Sequence, residues 1–534
     1  MRRQTPPAHR SSRLLRRRPN TAPVPAPVPA PAPVPTPALA TAPGRVAAVA
    51  LALLLGLALP SPAQATNGYF AHGYSVSQKA LGGAGTAYPG DALIVTINPA
   101  GMAFVGDAFE ATFSLFRPIR DYAASERGAG AQAGIFTIDP TSEVRSHNEY
   151  YPIPAVSYSR RLGDWGNWGV AMYGNGGLNT EYLDHSSVFA QNIPLLEARC
   201  EGSFGGGAPR AGSNDPAEFC GRGTSRLGAD MAQVFLVPSL AAKVGGRIAL
   251  GVAPIFALNR FAAQGLKAFA RFSNDPGNVS ERGHELAYGG GYRVGAMAEL
   301  LPGLTLGGSW QSRIWMSPFD DYKGLFAEQG DFDIPPSWNL GLALQLGARH
   351  SLLYDFQHIA YSEVASVGAP FDPNDFVNNC ALPRLLGSSA DSPSCLGAAT
   401  GPGFGWRDMR VHKYGYQYTW GDYALRLGYS RSRQPIPSSA VLFNVVATGV
   451  IAEHYTAGFA WQLSPGFALE LAGMYAPQNP VRGPNPLSNV TLDAAALAGL
   501  GGGEVAAFGA DPNDQTLQLN MRQYELTVGA RWRY

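Results

Sequence analysis

Short segments in which apolar and polar residues alternate constrain the fold of this chain more than any other feature. In the segment 109–115, Phe109, Ala111, Phe113 and Leu115 interleave with more polar residues, and the segments 338–346 and 524–534 repeat the pattern. A period of two places apolar side chains on one face of a β-strand and polar side chains on the other. The pattern therefore predicts an all-β fold.

The connections between these segments alternate strictly between short and long. We predict six short turns, at 163–166, 245–246, 302–303, 348–350, 421–422 and 464–466, and seven long connections, around 118–148, 177–230, 265–284, 317–331, 364–409, 434–449 and 477–520. Bacterial outer-membrane barrels have short periplasmic turns and long extracellular loops. The alternation predicts a transmembrane antiparallel β-barrel of about 14 strands in residues 107–534, with both barrel ends at the periplasm.

The composition agrees with a membrane barrel. Charged residues make up 15% of the chain, against about a quarter in soluble domains, and there are 23 Tyr and 25 Phe. Beyond the N-terminal region, no apolar run approaches the roughly 20 residues that a membrane helix needs. A secreted β-protein is the alternative.

The N-terminus predicts export. Residues 1–45 contain eight Arg and no acidic residue, an apolar run spans Val46 to Leu59, and Ala63-Gln64-Ala65 follows. This order is typical of a signal peptide, which we expect to span residues 1–65 and to be cleaved after Ala65. Removing eight of the 40 basic residues and none of the 39 acidic ones leaves a net charge near −7. That charge argues against nucleic acid as a partner.

The four cysteines fall into two local pairs in polar, Gly-, Ser- and Pro-rich segments. In an oxidising compartment we expect the disulfides Cys200–Cys220 and Cys380–Cys395. The spacing does not fit a zinc site, and the nine His are scattered, so we predict neither a metal site nor a cofactor.

The segment 66–106 precedes the first strand and is rich in turns. It contains Gly82, Gly83 and Gly85, and later Asn98-Pro99-Ala100. We expect this segment to fold into the barrel lumen as a hatch. The Asn-Pro-Ala turn either packs the hatch or takes part in gating.

A second cluster of glycines lies near the end of the third predicted strand. It consists of Gly174, Gly176 and Gly177, with Asn175 between the first two. Glycine inside a strand often marks a bulge or a break in pairing. We therefore predict a kink of the third strand at this cluster.

Several motifs resemble those of the FadL/TodX family of outer-membrane transporters for long-chain fatty acids and aromatic hydrocarbons. They are Asn67-Gly68-Tyr69-Phe70, the Gly-rich turn 81–87, Asn98-Pro99-Ala100-Gly101-Met102, and the segments 334–338, 403–408 and 435–444. The resemblance extends over the mature chain. It implies a 14-stranded barrel plugged by the hatch, capture of substrate by apolar loops, a lumenal pocket, movement of the hatch, and passive sideways exit at the kinked third strand.

The substrate stays open between fatty acids and aromatic or aliphatic hydrocarbons. A carboxylate needs a cationic contact, for which Arg260, Lys267 and Arg271 are candidates. Ordinary lumenal or surface charges are the alternative interpretation of these three residues.

Other function classes fit less well. A general porin or a surface-structural barrel is the alternative to a transporter, but a porin requires an open lumen. A lipolytic enzyme requires a Ser nucleophile with a His base, and the sequence offers no clear His partner for Ser430. We predict no enzymatic activity.

The expected partners are outer-membrane lipid, a hydrophobic small molecule and the barrel-assembly machinery, which would read the C-terminal strand ending at Tyr534. We expect a monomer in the Gram-negative outer membrane.

Overall fold

The computed structural model describes residues 67–126, 138, 140–183, 226–385, 388–488 and 515–534. The predicted signal peptide, Cys200 and Cys220 lie outside these residues. Among the described residues, no helix is both long and apolar enough to cross a bilayer.

Fourteen long strands of the described residues form one closed antiparallel barrel, which confirms the predicted fold class. Each strand pairs with the next one along the chain, and the last pairs with the first from Ala108–Arg533 to Ala124–Leu517. The strands are β1 (Ala108–Ala124), β2 (Tyr151–Arg161), β3 (Gly166–Tyr182), β4 (Leu227–Val244), β5 (Ile248–Gln264), β6 (Glu285–Leu301), β7 (Leu304–Gln311), β8 (Ser337–Leu346), β9 (His350–Ile359), β10 (Met409–Trp420), β11 (Tyr423–Ser432), β12 (Glu453–Ser464), β13 (Phe467–Ala476) and β14 (Thr516–Arg533).

Several strands extend further into the predicted loops than the sequence indicated. β1 continues to Ala124, β3 to Tyr182, and β14 already begins at Thr516. The extensions persist because they pair with each other beyond the shorter strands, β1 with β14 and β3 with β4. Three short strands add to the loops, at Thr141–Arg145, Trp315–Met316 and Val481–Pro484.

Short helices complete the described chain. The hatch contains α1 (Val76–Ala80) and 3₁₀-helices at Ala92–Thr96 and Pro99–Phe104. The loops contain helical turns at Lys267–Phe272, Pro276–Asn278, Asp320–Tyr322, Ala327–Gly330, Tyr361–Glu363, Ala365–Gly368, Pro373–Phe376, Val377–Ala381, Leu382–Leu385, Ser438–Ala440 and Phe443–Val445.

The two faces of the barrel wall differ as the sequence period requires. On β13, Leu469 and Leu471 are exposed on the outside, while Ala468, Glu470 and Ala472 are buried inside. An apolar outer face meets lipid, and a polar inner face meets the lumen.

Two rows of aromatic residues mark the borders of the apolar band. The upper row, the tyrosine ladder, joins six directly paired residues on consecutive strands: Tyr354, Tyr414, Tyr429, Tyr455, Tyr475 and Tyr524. The lower row contains Trp420, Tyr423, Trp461, Phe467, Trp532 and Phe109. On β14 the rows are eight residues apart, about 27 Å along the strand and roughly 20 Å along the axis of a barrel with tilted strands. This spacing fits the apolar band of an outer-membrane barrel.

The described part of the predicted hatch, residues 67–106, lies inside the barrel. Nearly all of its residues are buried. α1 packs against β12 and β13, and the helix Pro99–Phe104 packs against β4, β5 and β6. The hatch therefore contacts strands on opposite sides of the lumen.

Candidate functional site

The Gly-rich turn of the hatch fits tightly against the barrel wall. Gly82 and Gly83 have φ angles of +67° and +83°, and a Cβ atom on Gly83 would lie 1.9 Å from the carbonyl oxygen of His72. The backbone nitrogens of Gly85 and Thr86 each donate to Asp355 on β9 at 2.8 Å. These glycines allow the turn to approach its neighbours closely and the wall to hold it by hydrogen bonds.

The Asn-Pro-Ala motif caps a helix. The Asn98 side chain accepts from the backbone of Ala100 at 3.1 Å and donates to the carbonyl oxygens of Thr86 and Ala296 at 2.8 and 3.1 Å. Pro99 occupies the first helical position, where its missing N–H costs nothing. The motif thus joins two parts of the hatch to β6.

A buried ion pair connects the hatch to the barrel. Lys79 forms a salt bridge with Glu525 on β14 and donates to Ser114 on β1 at 2.8 Å. His72 Nδ1 lies 3.6 Å from Glu525 Oε2. Burial, together with Lys79 and Lys413, holds the pKa of His72 well below its usual range, so this imidazole is neutral. Sequence reasoning missed this contact, because 446 residues separate Lys79 from Glu525.

Ser430 does have a histidine partner, which corrects the expectation from sequence. Its hydroxyl lies 2.9 Å from Nδ1 of His454, the residue paired with it across β11 and β12. His454 in turn stacks on His72 with ring centroids 5.5 Å apart. Both Ser430 and His454 are buried beneath the hatch, and within the described chain no carboxylate bonds to the other nitrogen of His454. The Ser430–His454 pair therefore belongs to the contact between the barrel wall and the hatch. It lacks the third group that orients a catalytic base.

The seam between β2 and β3 is paired along only part of its length. Pairing ends at Ala155 and Tyr173, although β3 continues to Tyr182. A bulge separates Gly174 from Gly176 in the pairing of β3 with β4. The unpaired stretch of β3 ends near Glu181, whose carbonyl accepts a hydrogen bond from the His147 N–H at 2.8 Å. This unpaired stretch is called the window below.

The first residues of the hatch cover the window from the inside. Ala71 donates its N–H to the carbonyl of Asn175, and Gly177 donates to the carbonyl of Tyr69, both at 3.0 Å. A Cβ atom on Gly176 would lie 1.8 Å from the Tyr69 oxygen. Only glycine permits this approach of the hatch to β3.

An apolar cavity lies beneath the long loops, and we call it the outer cavity. Its lining is almost entirely aliphatic and aromatic: Leu227, Ala229, Phe261, Ala263, Leu266, Phe269, Leu325, Phe326, Ser366, Leu396, Pro402, Gly403, Phe404, Leu442, Phe443, Val445 and Val446. The disulfide Cys380–Cys395, which the sequence predicted, holds part of the loop layer together with 5.1 Å between the Cα atoms.

A cluster of aromatic side chains closes the lower end of the outer cavity. This aromatic septum consists of Tyr69, Phe70, Phe332, Tyr361 and Trp406, with Tyr69 in contact with the other four rings. Phe332 contacts Phe326 in the lining of the outer cavity, with ring centroids 4.9 Å apart. The hydroxyl of Tyr361 donates to the carbonyl of Asn67 at 2.6 Å. The hatch thus supplies two rings of the septum.

A small polar cavity, the inner cavity, lies on the other side of the septum and adjoins the window. Phe70 and Asn175 line it, together with the buried cations Arg293 and Lys413. Arg293 donates to the carbonyl of Val95 at 3.0 Å, and Lys413 donates to that of His72 at 3.3 Å. Among the described residues neither cation forms a salt bridge.

The cationic residues chosen from the sequence lie elsewhere. Arg260 is bound to Asp230 at 2.7 Å, and Arg271 donates to the carbonyl of Arg384 at 2.8 Å. Lys267 lies in the helical turn Lys267–Phe272, and its side chain is outside the described part of the chain. Neither Arg260 nor Arg271 lines the outer or the inner cavity. In the described residues, no group of three or more His, Cys, Asp or Glu could hold a metal ion.

Solved structures with this fold include two bacterial proteins. The Pseudomonas putida toluene transporter TodX is 16% identical, with a TM-score of 0.52 over 88% of this chain and 100% of that chain. A Pseudomonas aeruginosa FadL homologue is 14% identical, with a TM-score of 0.55 over 87% of this chain and 99% of that chain. No family model and no curated protein sequence matches the chain. At this identity the similarity establishes a shared fold, as the sequence motifs predicted.

Proposed function

We propose that this protein is an outer-membrane channel for passive uptake of hydrophobic compounds, which leave sideways through the window between β2 and β3. The observation that carries the proposal is the position of hatch residues Tyr69 to Ala71. These residues supply rings to the aromatic septum and also bond to β3 at the window. One movement of this short segment would open both the path between the cavities and the path into the bilayer.

A sideways route suits such a substrate physically. Transfer of apolar surface into water is unfavourable, and a network of charged groups lies at the periplasmic end of the lumen. Glu470 there is bound by Arg426 and Arg531, and Arg531 also donates to the carbonyl of Gly90 in the hatch at 2.7 Å. Passage through the window avoids both water and this network. The outer-membrane location is supported by the two aromatic rows and by the fold.

The two cavities favour a substrate with an apolar body and one anionic group. The outer cavity has no charged side chain in its lining and accepts an apolar body. In the inner cavity, Arg293 and Lys413 donate hydrogen bonds to neutral oxygens, and within the described residues neither forms a salt bridge, so a plain hydrocarbon would leave their positive charge without a counterion. Alkanoates are therefore favoured over neutral hydrocarbons, with Arg293 and Lys413 as the head-group contacts.

A disulfide across the window tests the route. A Cβ atom on Gly174 would lie 3.4 Å from Cγ2 of Ile153, within reach of a bridge between cysteines at the two positions. We expect the oxidised Ile153→Cys/Gly174→Cys protein to lose uptake of a radiolabelled alkanoate into cells, and reduction to restore it. The control is Val156→Cys/Met172→Cys, which joins the same strands where they are already paired.

Unchanged uptake after oxidation of the window pair would exclude the sideways route. Free passage of sugars through the wild-type protein would instead indicate a general porin. Hydrolysis of an ester analogue by the purified protein would contradict the expectation that it is no enzyme.

A further inference from the structure

A depression interrupts the outer, lipid-facing surface of the barrel. One row of directly paired residues crosses it: Leu427, Ala457, Gly473, Leu526 and Leu115. Gly473 and Ala457 are the two small members of this row, and a Cβ atom on Gly473 would meet nothing within 4 Å. The flanking Leu427 and Leu526 are 48% and 54% exposed. Two adjacent small residues between large ones therefore leave a dent about two strands wide.

The dent opens into a wide, shallow concavity. Its upper edge is formed by Tyr455, Tyr475 and Tyr524 of the tyrosine ladder. Each of these lies two residues along its strand from the dent, about 7 Å higher. The concavity thus lies in the half of the apolar band nearest the long loops, directly beneath the interfacial tyrosines.

Positive charge lies at one end of the same edge. Arg117 on β1 pairs with Tyr524 in the ladder and lies over the ring of Tyr150, 5.0 Å from its centroid. Arg117 and Arg145 share one carboxylate, that of Glu149. The three groups carry one net positive charge, and the two arginine side chains are 37% and 42% exposed. Arg117 is two strands from Gly473, about 10 Å across the sheet.

We propose that this groove is a binding site for one anionic lipid of the outer leaflet. An acyl chain lies over Gly473 and Ala457 between the flanking leucines, and the phosphate of the head group meets Arg117. Lipid is the occupant because a concavity on the bilayer-facing wall must be filled by hydrocarbon to keep its dispersion contacts. The adjacent net positive charge selects an anionic head group, and the hydroxyls of Tyr475 and Tyr524 supply hydrogen-bond donors at the same height, whereas that of Tyr455 already donates to Glu453 at 3.1 Å.

Native mass spectrometry of the purified protein tests the site. Delipidated protein in maltoside detergent is mixed with dioleoylphosphatidylglycerol or with dioleoylphosphatidylcholine, which has the same chains and no net charge. We expect the wild-type protein to retain one phosphatidylglycerol about tenfold more tightly than phosphatidylcholine. Gly473→Leu fills the dent and should weaken binding of both lipids, whereas Arg117→Gln should remove only the preference for the anionic one.

Ala296→Leu is the matched control. Ala296 is an exposed small residue on β6, seven strands away from Gly473, and the change places the same leucine side chain on the outer face without touching the groove. Heat-modifiable migration in gel electrophoresis shows that each variant has folded. Equal retention by Gly473→Leu and the wild type, or equal retention of the two lipids by the wild type, would overturn the proposal. A wild-type dimer that Gly473→Leu converts to a monomer would also overturn it, in favour of self-association through the groove.

Discussion

Lys413 and Arg293 are buried cations whose described contacts are with neutral groups. Lys413 is 3% exposed and Arg293 5%. Asp355 is the carboxylate that interacts electrostatically with Lys413. Its hydrogen bonds come from Gly85 and Thr86, which donate three to it. A buried charge without a partner is costly and commonly marks a binding site.

Replacing Lys413 tests the substrate class. We expect Lys413→Met to reduce uptake of a radiolabelled alkanoate by about tenfold, because the carboxylate loses one charged hydrogen bond. Uptake of a neutral hydrocarbon of similar size should stay the same. Lys243→Met, at the exposed end of β4 and outside the lining of both cavities, is the control. An equal loss for both substrates would mean that Lys413 supports the fold and does not select the substrate.

Asp331 makes the loop layer sensitive to pH. Burial and the neighbouring Asp333 raise the pKa of Asp331 from 3.8 to about 7. The folded protein therefore binds this proton more tightly than the unfolded chain does. The associated stabilisation is complete below pH about 4 and is lost as the pH rises through about 7.

Thermal unfolding at two pH values checks this assignment. We expect Asp331→Asn to raise the melting temperature at pH 8 and to leave it nearly unchanged at pH 4, because the amide stays neutral throughout. Asp320→Asn, an exposed carboxylate in the same loop, serves as control. An equal shift at both pH values would contradict the role of the proton.

At the scale of elements, β3 and the start of the hatch form one closed contact. β3 has a complete partner in β4, whereas above Tyr173 its other edge lacks β2 and is met from inside by Tyr69 and Ala71. The contact between the hatch and β3 can therefore break without disturbing the barrel wall, since its loss leaves the β3–β4 pairing intact.

Gly176→Ala should loosen the hatch without unfolding the barrel. The new Cβ atom would occupy the place of the Tyr69 carbonyl oxygen, so the segment must move away. We expect faster entry of a small hydrophobic fluorescent dye into cells. Gly174→Ala is the matched control, because its Cβ atom meets only Ile153 and Gln233 at 3.4 Å or more. Identical dye entry in both variants would mean that this contact does not seal the window.

At the scale of the molecule, the hatch and the barrel are joined into one body by buried charge. The Lys79–Glu525 ion pair is 4% and 3% exposed. Removing one partner of such a pair leaves an uncompensated charge in a dry environment. The hatch therefore contributes to the stability of the barrel as well as filling its lumen.

A double-mutant cycle measures this coupling. We expect Lys79→Met to lower the free energy of unfolding by about 3–5 kcal/mol, and Glu525→Gln added to it to recover a large part of that loss. Arg282→Gln, which breaks the exposed pair with Asp321, should cost less than about 1 kcal/mol. Unfolding in urea followed by tryptophan fluorescence gives the values, and additive losses would show that the pair is not coupled.

The sequence alone determined the barrel, its strand number, and the glycines of the third strand as candidates for a kink. These features depend on local patterns: a period of two along each strand, turn residues between strands, and glycine where the backbone is crowded. The Cys380–Cys395 disulfide was predictable for the same reason, since only 15 residues separate its cysteines.

Only the tertiary structure decided which side chains meet in the lumen. The register of strands brings Ser430 to His454, and the fold brings Lys79 to Glu525 and places Arg293 and Lys413 on one cavity, whereas Arg260 lies against Asp230. The alternation along a strand shows which face of the sheet a residue occupies. It does not show how far along the barrel axis the residue lies or which residues face it across the lumen. Those depend on strand pairing and on how the hatch fills the lumen, and both are set by contacts between residues hundreds of positions apart.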